Sequence, residues 1–263
     1  MNLKEIRALA VGACFAVAAM FTAQLGVAQA AEKQPLLYEE PRHLEGKIYG
    51  LKAEALAKPL FTLLRSSDRK DSRLDVLREY KYLDGQMASR ERVVYQGNEL
   101  VSYELEELQI GARGKATIVS EPANSKTKVI LFERQTGNRI RKGKETLPPD
   151  ALISDMLAPF LMAHWEKLMK GEKVKCRYIV VERLETIGFT FSRQSDSLWH
   201  DKPVVVARME PTSRIISALV DPLYFTIEKA PPHRIFQYLG RTTPKLKSGR
   251  KFVELDARTV FEW

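Results

Sequence analysis

Four histidines, His43, His164, His200 and His233, and two cysteines, Cys14 and Cys176, are the residues with which this chain could ligate a metal or build a nucleophile. The histidines stand far apart. No two histidines stand four positions apart, the spacing that puts two imidazoles on one helix face. Ser197, His200 and Asp201 have the types of a hydrolytic triad, but they crowd into one short stretch that reads as a polar loop. There is no G-x-S-x-G elbow, no phosphate-binding loop and no G-x-G-x-x-G fingerprint. Glu104, Glu106 and Glu107 read as the polar side of a strand and its turn. The expectation is a protein that binds rather than catalyses, with no catalytic residue, no metal and no cofactor. A hydrolase that assembles its residues across the fold is the alternative.

The distinctive chemistry is soft and apolar. Met156, Phe160, Met162, Trp165 and Met169 fall in one segment, and Tyr178, Phe189 and Phe191 follow in two others. Methionine and aromatic side chains adapt to irregular apolar ligands, and they also fill ordinary cores. From this group Met156, Phe160, Trp165, Tyr178, Phe189 and Phe191 are the candidate ligand-binding residues.

The elements that must position them follow from periodicity. Apolar residues alternate at Leu74–Tyr82, at Val93 and Tyr95, and again at Val101, Tyr103 and Leu105, with Gly97-Asn98 between the last two runs. That pattern is a hairpin signal. Further strands are expected at Val129–Phe132, Val174–Val180, Ile187–Phe191, Val204–Met209, Leu223–Glu228, Ile235–Leu239 and Phe252–Leu255. Between Pro149 and Lys170 the period changes. Ile153, Leu157, Phe160, Leu161, His164 and Leu168 recur at helical spacing. Pro149 suits a first turn, Gly171 suits a stop, and Pro159 predicts a kink or a division into two short helices. Large apolar groups lie on nearly every side of this segment, the pattern of an enclosed helix. The fold class expected is therefore mainly β (α+β): a curved antiparallel sheet or incomplete barrel of about ten strands around a helical segment near 149–170.

The ends and the charge bound the setting. Lys4 and Arg7, an apolar run from Ala8 to Phe21, and Ala28-Gln29-Ala30 form the three regions of a cleavable signal peptide over residues 1–30. Residues 31–50 then read as a polar N-terminal arm, and 51–263 as one β-rich domain. A membrane anchor would need a longer continuous apolar run, and Val11-Gly12-Ala13-Cys14 has too few apolar residues before its cysteine to be a lipobox. Periplasmic localisation is the expectation. Once the signal is removed, Cys176 is alone and reads as a buried structural thiol. The net charge of +9 over the whole chain suggests attraction to an anionic membrane surface. The basic residues are dispersed, and the densest group, Arg139, Arg141, Lys142 and Lys144, has no interleaved aromatic and reads as a solvated loop. Nucleic acid is not an expected partner, and the oligomeric state is not readable.

The run Leu168-Met169-Lys170-Gly171-Glu172-Lys173-Val174, leading to Ile187-Gly188-Phe189-Thr190-Phe191, resembles bacterial periplasmic proteins related to the LolA/LolB-like lipoprotein carriers. Met209-Glu210-Pro211, Asp221-Pro222 and Gly240-Arg241 have the same character, and the resemblance covers residues 60–260. It implies an incomplete barrel that wraps helices and holds acyl chains, hence a carrier for a lipid or other acyl-chain ligand in the cell envelope. Absence of a lipobox and a single helical segment depart from that pattern. The competing class is an integral outer-membrane barrel, suggested by Phe261 and the terminal Trp263. Val260 breaks the alternation there, and several strands fall short of the 9–11 residues such barrels use.

Overall fold

The computed structural model describes residues 41–53, 57–218 and 220–263, so the signal-peptide reading of residues 1–30 lies outside the described residues. The chain is mainly β, organised as one large curved sheet. Its strands are β1 (His43–Gly50), β2 (Phe61–Lys70), β3 (Arg73–Lys81), β4 (Met87–Gln96), β5 (Glu99–Glu107), β6 (Ala112–Glu121), β7 (Asn124–Thr136) and β8 (Arg139–Thr146). After the helical segment come β10 (Val174–Val180), β11 (Glu185–Trp199), β12 (Lys202–Pro211), β13 (Leu223–Glu228), β14 (Ile235–Ser248) and β15 (Lys251–Glu262), with a two-residue β9 (Ala151–Leu152) before it. Each strand in the two runs pairs antiparallel with its sequence neighbour, β1 joins β15, and β9 alone pairs in parallel, on β10. The sheet is open, with β8 and β9 at its ends.

Local chemistry accounts for the meander. The Gly97-Asn98 turn joins β4 to β5, with Gly97 in the left-handed region at φ 59°. His200 and Asp201 make the β11–β12 turn with φ of 44° and 63°. This left-handed pair matches the twist of a two-residue hairpin. Long strands with Leu, Val, Phe or Tyr at alternate positions then put one face inward. Ile48, Phe61, Leu63, Val76, Tyr80, Val93 and Tyr103 from the first run are all buried, as are Phe191, Ala207, Met209, Phe225 and Ile227 from the second.

Three expectations change. Fifteen strands among the described residues replace about ten, because β2, β6 and β8 carry charges or glycine where a clean alternation would have marked them, β9 has only two residues and β1 lies in the expected arm. The residues read as an arm up to position 50 include β1, which lies between β2 and β15 with Leu44 and Ile48 buried. The basic group 139–144 is not a loop but the exposed edge strand β8, where lysines and arginines discourage pairing with other chains.

The edge at β8 is approached by the turn between β10 and β11. A Cβ at Gly114 would fall 2.6 Å from Val181 Cγ2, and one at Gly143 would fall 3.0 Å from Leu184 Cβ. Glycine at both positions is what admits the turn. Arg141 donates to the Glu182 carbonyl at 3.1 Å, and Glu145 accepts from the Thr186 amide at 2.8 Å. Side chains and not a strand ladder therefore span the gap.

Candidate functional site

The helical segment is short. Ser154–Met156 is one 3₁₀ turn, followed by α1 (Leu157–Ala163) and α2 (Trp165–Met169). The division falls at His164 (φ −114°, ψ 14°) and not at Pro159. Pro159 is the third residue of α1, in the first turn, where no intrahelical N–H bond is required of it. The buried side of the segment is Ala158, Leu161 and Leu168, packed in one apolar cluster with Phe189, Phe191, Met209 and Phe225.

The start of the segment is tied to the sheet by charge. Arg65, Arg78 and Glu91 lie side by side on the inward face, in register across β2, β3 and β4. Two adjacent arginines would repel, and each is met by a carboxylate. Arg65 donates to Asp155 at 2.7 Å and 3.4 Å, and the Tyr95 hydroxyl donates to the same carboxylate at 2.9 Å. Arg78 stands 3.4 Å from Glu91. Glu91, 1% exposed, also accepts from the hydroxyls of Ser154 at 2.6 Å, Thr243 at 2.5 Å and Tyr80 at 3.0 Å. Buried carboxylates persist only when their lone pairs are taken up in this way. Burial pushes the Tyr80 and Tyr178 phenols well above the ordinary tyrosine value, so both keep their protons and serve as uncharged polar groups.

Beside this network lies a cavity of about 130 Å³. Its polar lining is Arg65, Arg78, Tyr80, Ser154, Asp155 and Tyr178, with Arg241, Thr242, Thr243 and Thr259 contributed by β14 and β15. Its apolar side is Leu44, Leu63, Phe225, Ile235, Phe261 and Trp263, and Leu157 and Ala158 of α1 border it. The volume is close to the roughly 150 Å³ of an engineered apolar cavity that holds benzene. It admits a ring or a short alkyl segment beside a patch of hydroxyls.

Of the six residues singled out from sequence, Tyr178 lines this cavity. Phe189 and Phe191 are buried in the neighbouring apolar cluster, and Met156, Phe160 and Trp165 pack half-buried against it. A row of rings connects the two places. Phe160 stands 5.6 Å from Phe191, Phe191 is 5.8 Å from Phe225, and Phe225 is 5.2 Å from Tyr238, between ring centroids. Phe225 and Tyr238 are cavity residues. Trp165 lies apart from this row, stacked on His233 at 4.1 Å.

The residues that sequence reasoning missed are the charged ones. Arg65 follows Phe61 and Leu63 in the inward phase of β2, Arg78 lies between Val76 and Tyr80, and Glu91 precedes Val93 and Tyr95. A charge in the apolar phase of a strand is the signal that could have found them. The three acids split in the same way. Glu104 and Glu106 point outward into ion pairs with Arg113, Lys115, Arg90 and Arg92. Glu107 is instead buried against Arg134 and Lys245. Cys176 is buried, and burial pushes its thiol up to about 12.

No family model matches the chain, and no curated protein or solved structure is significantly similar to it.

Proposed function

We propose that the protein binds a lipid or other acyl-chain ligand in the cell envelope, in the manner of a periplasmic carrier. The observation that carries this reading is the cavity under the helical segment, whose lining combines apolar Leu63, Phe225, Ile235 and Phe261 with hydrogen-bonding groups. An apolar pocket with a few placed polar groups is the usual form of a small-molecule site. At about 0.8 kcal/mol per buried methylene, some six methylenes supply roughly 5 kcal/mol, which is a dissociation constant on the order of 0.1–1 mM. A longer chain would gain more only by extending beyond the cavity or by spreading α1 from the sheet. The resemblance to the LolA/LolB-like carriers, the N-terminal signal pattern and the basic balance agree with a periplasmic role near anionic membrane surfaces. The outward faces of β4, β5 and β6 carry ion pairs such as Arg113–Glu104 and Lys115–Glu104. An outer-membrane barrel needs an apolar band there, which favours the carrier reading.

Displacement of an uncharged fluorescent acyl-ester probe tests the proposal. The wild type should bind the probe saturably. Ala158→Leu, which places extra methyl groups where α1 borders the cavity, should weaken binding at least about fivefold while the circular dichroism spectrum is retained. A folded wild type with no saturable binding would end the carrier reading.

A further inference from the structure

We infer that the ligand's polar end is uncharged: the cavity is built for an alcohol, ester or amide head group on an apolar body and excludes free carboxylates and phosphates. The inference rests on the acyl-ligand reading and narrows it. Three arginines line the cavity, and a pocket with three guanidinium groups would ordinarily be read as an anion site. Here each already has its carboxylate. Arg65 is paired with Asp155 at 2.7 Å, Arg78 with Glu91 at 3.4 Å, and Arg241 with Asp256 at 2.8 Å.

An anionic head group entering this space would have to shed its water next to the Asp155 and Glu91 carboxylates, with no cation left over to offset it. Unpaired buried charge is among the costliest states a protein interior can hold. The groups left to serve a ligand are uncharged. Tyr178, Thr242 and Thr259 bring hydroxyls to the lining, Ser154 and Thr243 donate to Glu91 and keep oxygen lone pairs that can accept from a ligand, and burial keeps the Tyr178 phenol protonated. Hydroxyls recognise a neutral oxygen or amide head by matched hydrogen bonds, and a site built that way rejects ligands that leave its polar groups mispaired.

The test compares molecules of one size that differ in charge. Hexanol, hexanamide and hexanoate compete at neutral pH for the uncharged acyl-ester probe on the full chain. Hexanol and hexanamide should displace it at concentrations at least about tenfold below hexanoate. Because any greasy pocket disfavours an ion to some degree, two isosteric variants test the charge matching itself. Glu91→Gln removes the negative charge that faces Arg78, and Asp155→Asn the one that faces Arg65. Each folded variant should improve displacement by hexanoate at least about tenfold and change that by hexanol less than about twofold. Hexanoate matching hexanol on the wild type overturns the inference, while the carrier reading stands. So does an unchanged ratio in a folded variant. Probe binding absent from a folded wild type removes the carrier reading itself. Should neither variant fold, the wild-type comparison decides alone.

Discussion

The interior has two regions built on opposite principles. Beneath β2, β3 and β4 a closely specified polar row is set among apolar side chains such as Leu63, Val76 and Val93: Arg65, Arg78 and Glu91 share the row, and Ser154 and Asp155 reach down to complete it. Beneath β10 to β14 the interior is aromatic and aliphatic, with Phe191, Phe225, Met209 and Leu161 in one cluster and Phe160, Met162 and Trp165 half-buried against it. Hydrogen-bonded charges tolerate few arrangements, whereas methionine and ring contacts tolerate many. The first region therefore fixes where the helical segment begins. The second sets how much room lies beneath it. The cavity is at their junction, with a wall from each.

If that division is right, single substitutions should fall in a definite order. Asp155→Ala removes the carboxylate that Arg65 and the Tyr95 hydroxyl share, and should cost about 3–5 kcal/mol of unfolding free energy. Urea denaturation measures it. Replacing the pair together, Arg65→Met with Asp155→Leu, should recover most of that loss, since an apolar pair of similar volume carries no stranded charge. A double variant as unstable as Asp155→Ala would mean that the network is more than a matched pair. Phe160→Ala in the apolar region should cost only about 1–2 kcal/mol, because the ring is half-buried and its neighbours can repack. A larger loss there than at Asp155 would reverse the comparison. The smallest effect is expected outside, where Arg113 is half-exposed: Arg113→Ala should cost less than about 1 kcal/mol and less again in high salt.

Cys176 reports on the apolar region chemically. Burial, with Asp150 adding to it, holds its thiol near 12, so the thiolate is scarce at neutral pH. Iodoacetamide should leave it unmodified in the folded protein and alkylate it in denaturant. Its labelling rate in the folded state should also stay low as pH rises past the ordinary thiol range. Rapid folded-state labelling would show that the β10–β11 region opens readily.

Much of this architecture was legible in the sequence, and the part that was not has a physical cause. Period-two alternation marks strands wherever one face is apolar, so Val93–Tyr95, Ile187–Phe191 and Val204–Met209 stand out. β2 and β8 do not, because Arg65 occupies an inward position and β8 is an edge strand of basic residues. Helical spacing located the 149–170 segment, but its break is at His164, since proline in a first turn disturbs nothing. The aromatic candidates were found because ring and thioether residues are conspicuous in a sequence. Arg65, Arg78 and Glu91 were not, because surface charge is the ordinary reading of such residues. Only a sheet curved enough to cover both runs turns their phase into burial.

The most direct test of the account uses Trp263, which lines the cavity and donates its indole N–H to the Ile235 carbonyl at 2.8 Å. The chain has three tryptophans, and Trp165→Phe with Trp199→Phe leaves Trp263 as the sole emitter. Titration of that variant with bromine-labelled hexanol, a contact quencher, should extinguish Trp263 emission saturably, at the same concentrations that displace the acyl-ester probe. Saturable probe displacement with Trp263 emission unchanged would place the ligand elsewhere and contradict the assignment of this cavity.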